Sequence, residues 1–115
     1  MTDALRDTAT TYFTSWKTKD FDTLRSVISD HATFRGPLGA ANSGDECLAG
    51  LKGMSQMVTD IRILKQFVDG NDVLTWFDLY TDKAGPTPTA NWMHIEDGKI
   101  ARIRVLFDPR EILGL

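Results

Sequence analysis

Apolar residues recur every third or fourth position along the first half of the chain and every second position along much of the rest. Leu5, Ala9, Tyr12, Phe13 and Trp16 form one stripe, which predicts an amphipathic helix from Thr2 to Lys17. Asp20 can cap a second, shorter helix with Phe21, Leu24, Val27 and Ile28 on its inner face. His31 to Arg35 reads as a short strand, broken by Gly36-Pro37-Leu38-Gly39. Ser43, followed three residues later by Glu46, fits a capping box and opens a third helix through about Met57, with Cys47, Leu48, Leu51 and Met54 inward. Gly50 and Gly53 each weaken that helix by roughly 1 kcal/mol against alanine, so close packing is expected to compensate.

From Thr59 the period drops to two. Ile61, Ile63, Lys65 and Phe67 alternate with Arg62, Leu64, Gln66 and Val68, and Asp69-Gly70-Asn71-Asp72 is a turn before the strand Val73 to Thr81. Lys83 to Pro88 is a loop. Thr89 to Glu96, the Asp97-Gly98 turn and Lys99 to Phe107 complete an antiparallel meander, which Asp108-Pro109-Arg110 stops. Helices first and long strands afterwards indicate an α+β fold in a single domain over residues 1–115. Strands of this length coil. The expected architecture is therefore a cone-shaped, curved, mixed or antiparallel sheet wrapped over three N-terminal helices around an apolar internal pocket. The strands are apolar on both faces in places, so homodimerisation through the outer sheet face is expected.

Composition adds mostly exclusions. The 115 residues carry a net charge of −3 and no Lys/Arg block, so no footprint for nucleic acid or an anionic membrane surface is present. The first residues are polar and unlike a signal peptide, and no apolar run reaches the roughly 18 residues of a membrane helix. Cys47 is the only cysteine and His31 and His94 the only histidines, which leaves no internal disulfide and little for a metal site. A cytoplasmic protein without a cofactor is the expectation.

Tyr12 with Asp20-Phe21-Asp22, Asp30-His31-Ala32-Thr33-Phe34, Ser43-Gly44, and Gly98-Lys99-Ile100 leading to Leu106-Phe107 carry a resemblance over essentially the whole chain. The chain resembles the nuclear transport factor 2-like superfamily, which includes ketosteroid isomerases, limonene-epoxide hydrolases and SnoaL-like polyketide cyclases. In the isomerases a helix-one tyrosine and a protonated strand aspartate donate hydrogen bonds to a developing enolate oxygen; Tyr12 and Asn91 fall at those positions. An amide donates without a raised pKa, so the pair is chemically suited to an oxyanion. The isomerase base aligns with Gly36, as does the hydrolase asparagine, and the hydrolase aspartate aligns with Val105. Neither relative's key carboxylate is retained.

Asp78, inside the apolar run Val73 to Tyr80, is the remaining candidate base, because burial would raise its pKa. Its face is open: one alignment turns Phe77 and Leu79 to the pocket, the other Trp76, Asp78 and Tyr80, and a slip of one residue reverses every side chain. On the outer face it would pair with an arginine such as Arg62. The other expected ligand-binding residues are Trp16, Phe34, Leu51 and Met57 from the first half, and Met93, Ile103, Val105 and Phe107 from the meander. A cavity lined this way suits a small hydrophobic ligand. Two functions follow: a SnoaL-like enzyme isomerising, cyclising or hydrating a polyketide-, terpenoid- or steroid-like molecule with Tyr12, Asn91 and Asp78, or a non-catalytic ligand-binding or dimerisation module.

Overall fold

The computed structural model describes residues 2–115. Helix α1 (Thr2–Thr18) and the single-turn-and-a-half α2 (Phe21–Ser26) come first, followed by strand β1 (Ile28–Gly36) and the short β2 (Gly39–Ala41). Helix α3 (Gly44–Ser55) then leads into four strands, β3 (Val58–Asp69), β4 (Asp72–Thr81), β5 (Thr87–Glu96) and β6 (Lys99–Leu106), and a final turn of helix, α4 (Arg110–Leu113). The six strands form one curved sheet in the order β2-β1-β6-β5-β4-β3. All neighbours are antiparallel except β1 and β6, which run parallel.

Local chemistry sets several boundaries. Asp20 caps α2 by accepting from the Thr23 N–H at 3.3 Å. Ser43 Oγ accepts from the Glu46 N–H at 3.1 Å, a donor that the first turn of α3 would otherwise leave free, and Glu46 Oε1 reaches back to accept from the Asn42 N–H just before the cap at 3.0 Å. Asp97 and Gly98 both have positive φ, 53° and 76°, as the tight β5–β6 hairpin requires. The start of α3 lies hard against β1: a Cβ on the buried Gly44 would sit 2.5 Å from the Ser29 carbonyl oxygen. Arg25 completes that corner, donating to the Ile28 carbonyl at 2.7 Å and pairing with Asp30 at 2.6 Å and Asp45 at 3.0 Å.

Four expectations change. The second helix stops at Ser26, and Ile28 opens β1 instead of extending the helix, because its N-terminal strand pairs with Ile100 of β6. The Gly36-Pro37-Leu38-Gly39 run does more than break a strand; it turns the chain back so that Phe34 opposes Ala41 in a β1–β2 hairpin. In β3 the alternation does not run unbroken. Ile63 opposes Phe77 but Lys65 opposes Trp76, leaving Leu64 as a bulge that turns Gln66 and Val68 inward and Phe67 outward. The expected close packing at Gly50 and Gly53 is absent: a Cβ at either would meet no atom within 4 Å.

The core fills the space between α1, α2, α3 and the inner sheet face. Ala9, Tyr12, Phe13 and Trp16 of α1 are all buried, and the Phe13 ring stacks at a tilt on Phe77, 4.9 Å between centroids. Met93, Ile95, Ile100 and Ile103 are sealed beneath them.

Candidate functional site

Beside the β1–β2 hairpin, between the helices and the sheet, lies a cavity of about 470 Å³. Its inner wall comes from Tyr12 and Trp16 on α1, Cys47 and Leu51 on α3, sheet residues that include Phe34, Asn91 and Val105, and Phe107 just past β6. Met57, just past α3, also borders it. The exposed members of the lining, Pro37 to Ala40 on the hairpin and Glu46, Gly50 and Gly53 on α3, mark the opening. The two glycines that fail to pack therefore form part of its rim.

Polar groups inside are few. Trp16 is spent structurally: its indole Nε1–H donates to the Leu51 carbonyl at 2.8 Å, which ties α1 to α3. Thr89 donates its hydroxyl to the Thr87 carbonyl at 2.9 Å. The Cys47 thiol approaches the Ala32 carbonyl at 3.8 Å, and burial pushes its pKa up, which keeps it protonated and poorly nucleophilic. Tyr12 and Asn91 are different. The phenol is fully buried, and burial first, then the neighbouring Cys47, drives its pKa far above the ordinary phenol range, with the Asn91 side chain acting in the opposite direction. Tyr12 is thus a proton-bearing donor at any physiological pH. Asn91 is 2% exposed, and its Oδ1 has no hydrogen-bond partner. A buried acceptor left unpaired costs about 1–3 kcal/mol, and this one is closed to solvent.

Asp78 is not part of this site. In β4 the residues Val73, Thr75, Phe77, Leu79 and Thr81 are buried, and the intervening Leu74, Trp76, Asp78 and Tyr80 face outward. Asp78 lies opposite Arg62 of β3, whose guanidinium stacks over the Tyr80 ring at 4.9 Å. The reason is energetic: turning the odd set inward buries Phe77 and Leu79, whereas the even set would have buried an uncompensated carboxylate. The proposed base role of Asp78 fails on this geometry. Met93 and Ile103 need a second correction. Both face inward and are 0% exposed, but they belong to the packed core below the cavity and do not border it. Phe77 and Leu79 border the cavity, as the first of the two alignments has it, and Thr89, Cys47 and Glu46 border it beyond the residues expected from the sequence; the alternation outward from Asn91 along β5 reaches Thr89, while Glu46 reads from the sequence only as part of a capping box.

Glu46 is the one carboxylate among the lining residues, at the opening and not in the depth. Among the described residues no group of three or more His, Cys, Asp or Glu side chains comes together as a metal site would need, and no helix is long and apolar enough to cross a membrane.

Comparison with known proteins places these features in a family. Residues 9–103 match the model of the SnoaL-like domain. No curated protein matches significantly. A crystal structure from Kribbella flavida superposes with a TM-score of 0.88 at 26% identity, covering 94% of this chain and 89% of that one. A nuclear transport factor 2-like protein from Cytophaga hutchinsonii gives 0.82 at 23%, covering 95% and 94%. An LEH-like epoxide hydrolase from M. tuberculosis gives 0.80 at 21%, covering 98% and 88%.

Proposed function

Because the chain belongs to the SnoaL-like domain family of the nuclear transport factor 2-like superfamily, we propose that it binds a small, largely apolar molecule in the cavity, with Tyr12 and Asn91 holding the molecule's one polar group. The observation that carries this reading is the presence of two polar side chains, Tyr12 and Asn91, on the wall of a largely apolar cavity of about 470 Å³. That size falls in the range of small-molecule sites, and a few fixed polar groups in an apolar wall are their usual make-up.

The three tryptophans supply the test. Trp16 borders the cavity, while Trp76 and Trp92 lie on the outer sheet face, 43% and 46% exposed. Titration of the 15N-labelled protein with a naphthalene-sized probe is expected to move the Trp16 indole and Asn91 amide resonances and to leave the other two indoles in place. Shifts confined to Trp76 and Trp92 would sink the reading.

A second reading is favoured by Glu46. Proton-transfer chemistry on a polyketide-, terpenoid- or steroid-like substrate needs a base, and Glu46 is the carboxylate that borders the cavity. In that case Tyr12 and Asn91 polarise the substrate oxygen while Glu46, released from its hold on the Asn42 N–H, takes the proton. Glu46→Gln would then abolish turnover and leave binding intact, and Asp78→Asn would change neither. We propose also that two copies pair through the outer sheet face, where Phe67, Leu74 and Trp92 lie in one cross-strand row and Trp76, Ala90 and Leu106 in the next. Arg104 opposite Trp92 and Asp78 beside Trp76 place opposite charges at the border of the same patch, which suits it to a two-fold copy of itself.

A further inference from the structure

We propose that Gly36 sets the width of the cavity by giving the Phe34 ring a recess to lie in, and that the space so kept selects a ligand with a fused-ring body over one with a single ring. The inference rests on the cavity reading above and specifies the bulk that its apolar part admits. Gly36 is the last residue of β1, and a glycine in a strand adds no packing and costs backbone entropy. Its backbone does not require it: the glycines with positive φ are Gly70, Gly98 and Gly114. Space does. A Cβ built on Gly36 would stand 3.1 Å from Phe34 Cε1, 3.5 Å from Phe34 Cζ and 3.5 Å from Val105 Cβ. The Val105 distance is ordinary contact and the shortest Phe34 distance is too tight, so the Phe34 ring already occupies the place that a side chain at residue 36 would take. Among the described residues Gly44 is the other crowded glycine, and its obstacles, Ser29 and Arg25, do not border the cavity.

The consequence falls on the cavity because Phe34, Gly36 and Val105 all border it. Phe34 and Gly36 are two residues apart on β1 and so share a face of the sheet. Val105 stands between Gly36 and Asn91: its Cβ lies beside Gly36, and it is the cross-strand partner of Asn91. Gly36, Val105 and Asn91 thus make one row leading from the hairpin to the polar pair. With glycine at the head of that row, the Phe34 ring lies back along its own strand. Any side chain there lifts the ring. The strand beneath it and Val105 beside it leave the cavity as the space into which it moves. The width beside Asn91 is therefore set by a missing side chain. Gly36 is a positioning residue that acts through Phe34: filling the recess leaves room for one ring and removes room for two.

The test titrates benzyl alcohol and 2-naphthylmethanol, the same polar group on one ring or two, into the full chain and follows the Trp16 indole resonance. Wild type is expected to bind the naphthyl probe about tenfold more tightly. Gly36→Val should weaken the naphthyl probe by about tenfold and the benzyl probe by less than about threefold. Gly36→Ala asks the ring to yield by only a few tenths of an ångström, so it folds even where the valine variant does not, and should cost the naphthyl probe about threefold. In a Phe34→Ala background there is no ring to displace, and adding Gly36→Val should change naphthyl affinity by less than about threefold. Equal wild-type affinities for the two probes overturn the fused-ring selection. Equal weakening of both probes by Gly36→Val, or the same loss with and without the Phe34 ring, overturns the role of Gly36. In each of these cases the cavity reading stands; it fails, and this inference with it, if neither probe moves the Trp16 indole of the wild type.

Discussion

Three glycines in α3 allow one substitution to be predicted with opposite signs along a single helix. Gly44→Ala places a methyl group 2.5 Å from the Ser29 carbonyl oxygen and 2.8 Å from the Arg25 guanidinium carbon. Arg25 could swing aside only by giving up its bonds to Ile28, Asp30 and Asp45, and the Ser29 carbonyl belongs to a strand that is paired in the sheet. The helix must therefore lift off β1. Overpacking of this kind costs about 1–3 kcal/mol, set against a helix-propensity gain of at most about 1. Gly50→Ala and Gly53→Ala meet nothing within 4 Å and keep only the propensity gain, about 0.8–1 kcal/mol each. At roughly 4 °C per kcal/mol for a chain of this size, the Gly50/Gly53 double variant should melt about 6–8 °C above wild type, and Gly44→Ala should melt below it. Thermal unfolding followed by circular dichroism reads all four proteins. A neutral Gly44→Ala, or a destabilised Gly50→Ala, would refute the account of which side of α3 is packed and which side is open.

Two further outcomes follow from the outer sheet face. Trp76→Lys with Trp92→Glu should convert a dimer to a monomer in sedimentation without unfolding the chain, because both indoles are exposed in the single chain; an unchanged sedimentation coefficient would place the interface elsewhere. His94 on the same face bonds Asp72 at 2.6 Å through Nδ1 and Glu96 at 2.9 Å through Nε2, and these two carboxylates, Asp72 foremost, raise its pKa above the ordinary 6.5 while Arg102 on β6 opposes them. A raised folded-state pKa gives stability that is fully present below 6.5 and is lost as pH rises through the folded value. The melting temperature of wild type minus that of His94→Gln should therefore be largest near pH 5.5 and shrink on going to pH 9, and a gap that does not vary with pH would refute the paired imidazolium.

Much of the fold was legible because its signals are local. The stripe of Leu5, Ala9, Tyr12, Phe13 and Trp16, the Ser43–Glu46 box and the Asp97-Gly98 turn each specify their element without help from distant residues. What the sequence could not supply were the places where one strand's state depends on another. The Leu64 bulge exists only as a mismatch between β3 and β4, and β1 reaches back to Ile28 only because β6 offers it a partner. The same dependence governs the candidate site. Tyr12 and Asn91 could be found by kind and position, but the face of Asp78 turned on a one-residue register that apolar neighbours on both sides left undecided. Nor does alternation separate a wall from a core: Met93 and Val105 both face inward, but only Val105 borders the void, and that depends on what packs over each from other elements.

The parallel pairing of β1 with β6 carries a consequence for how the chain reaches this state. Every other long strand pairs with its neighbour in sequence, through turns of a few residues. Arg104, by contrast, donates to the Thr33 hydroxyl and carbonyl across 71 positions of chain. Closing so long a loop is entropically slow and is rewarded only when both strands are already extended. The β3–β6 meander should thus assemble early, as a half-sheet with one side of the cavity wall in place. The hairpin that frames the opening can dock only afterwards, so the binding chamber would be among the last features of the molecule to come into existence and the first to be lost when β1 detaches from β6.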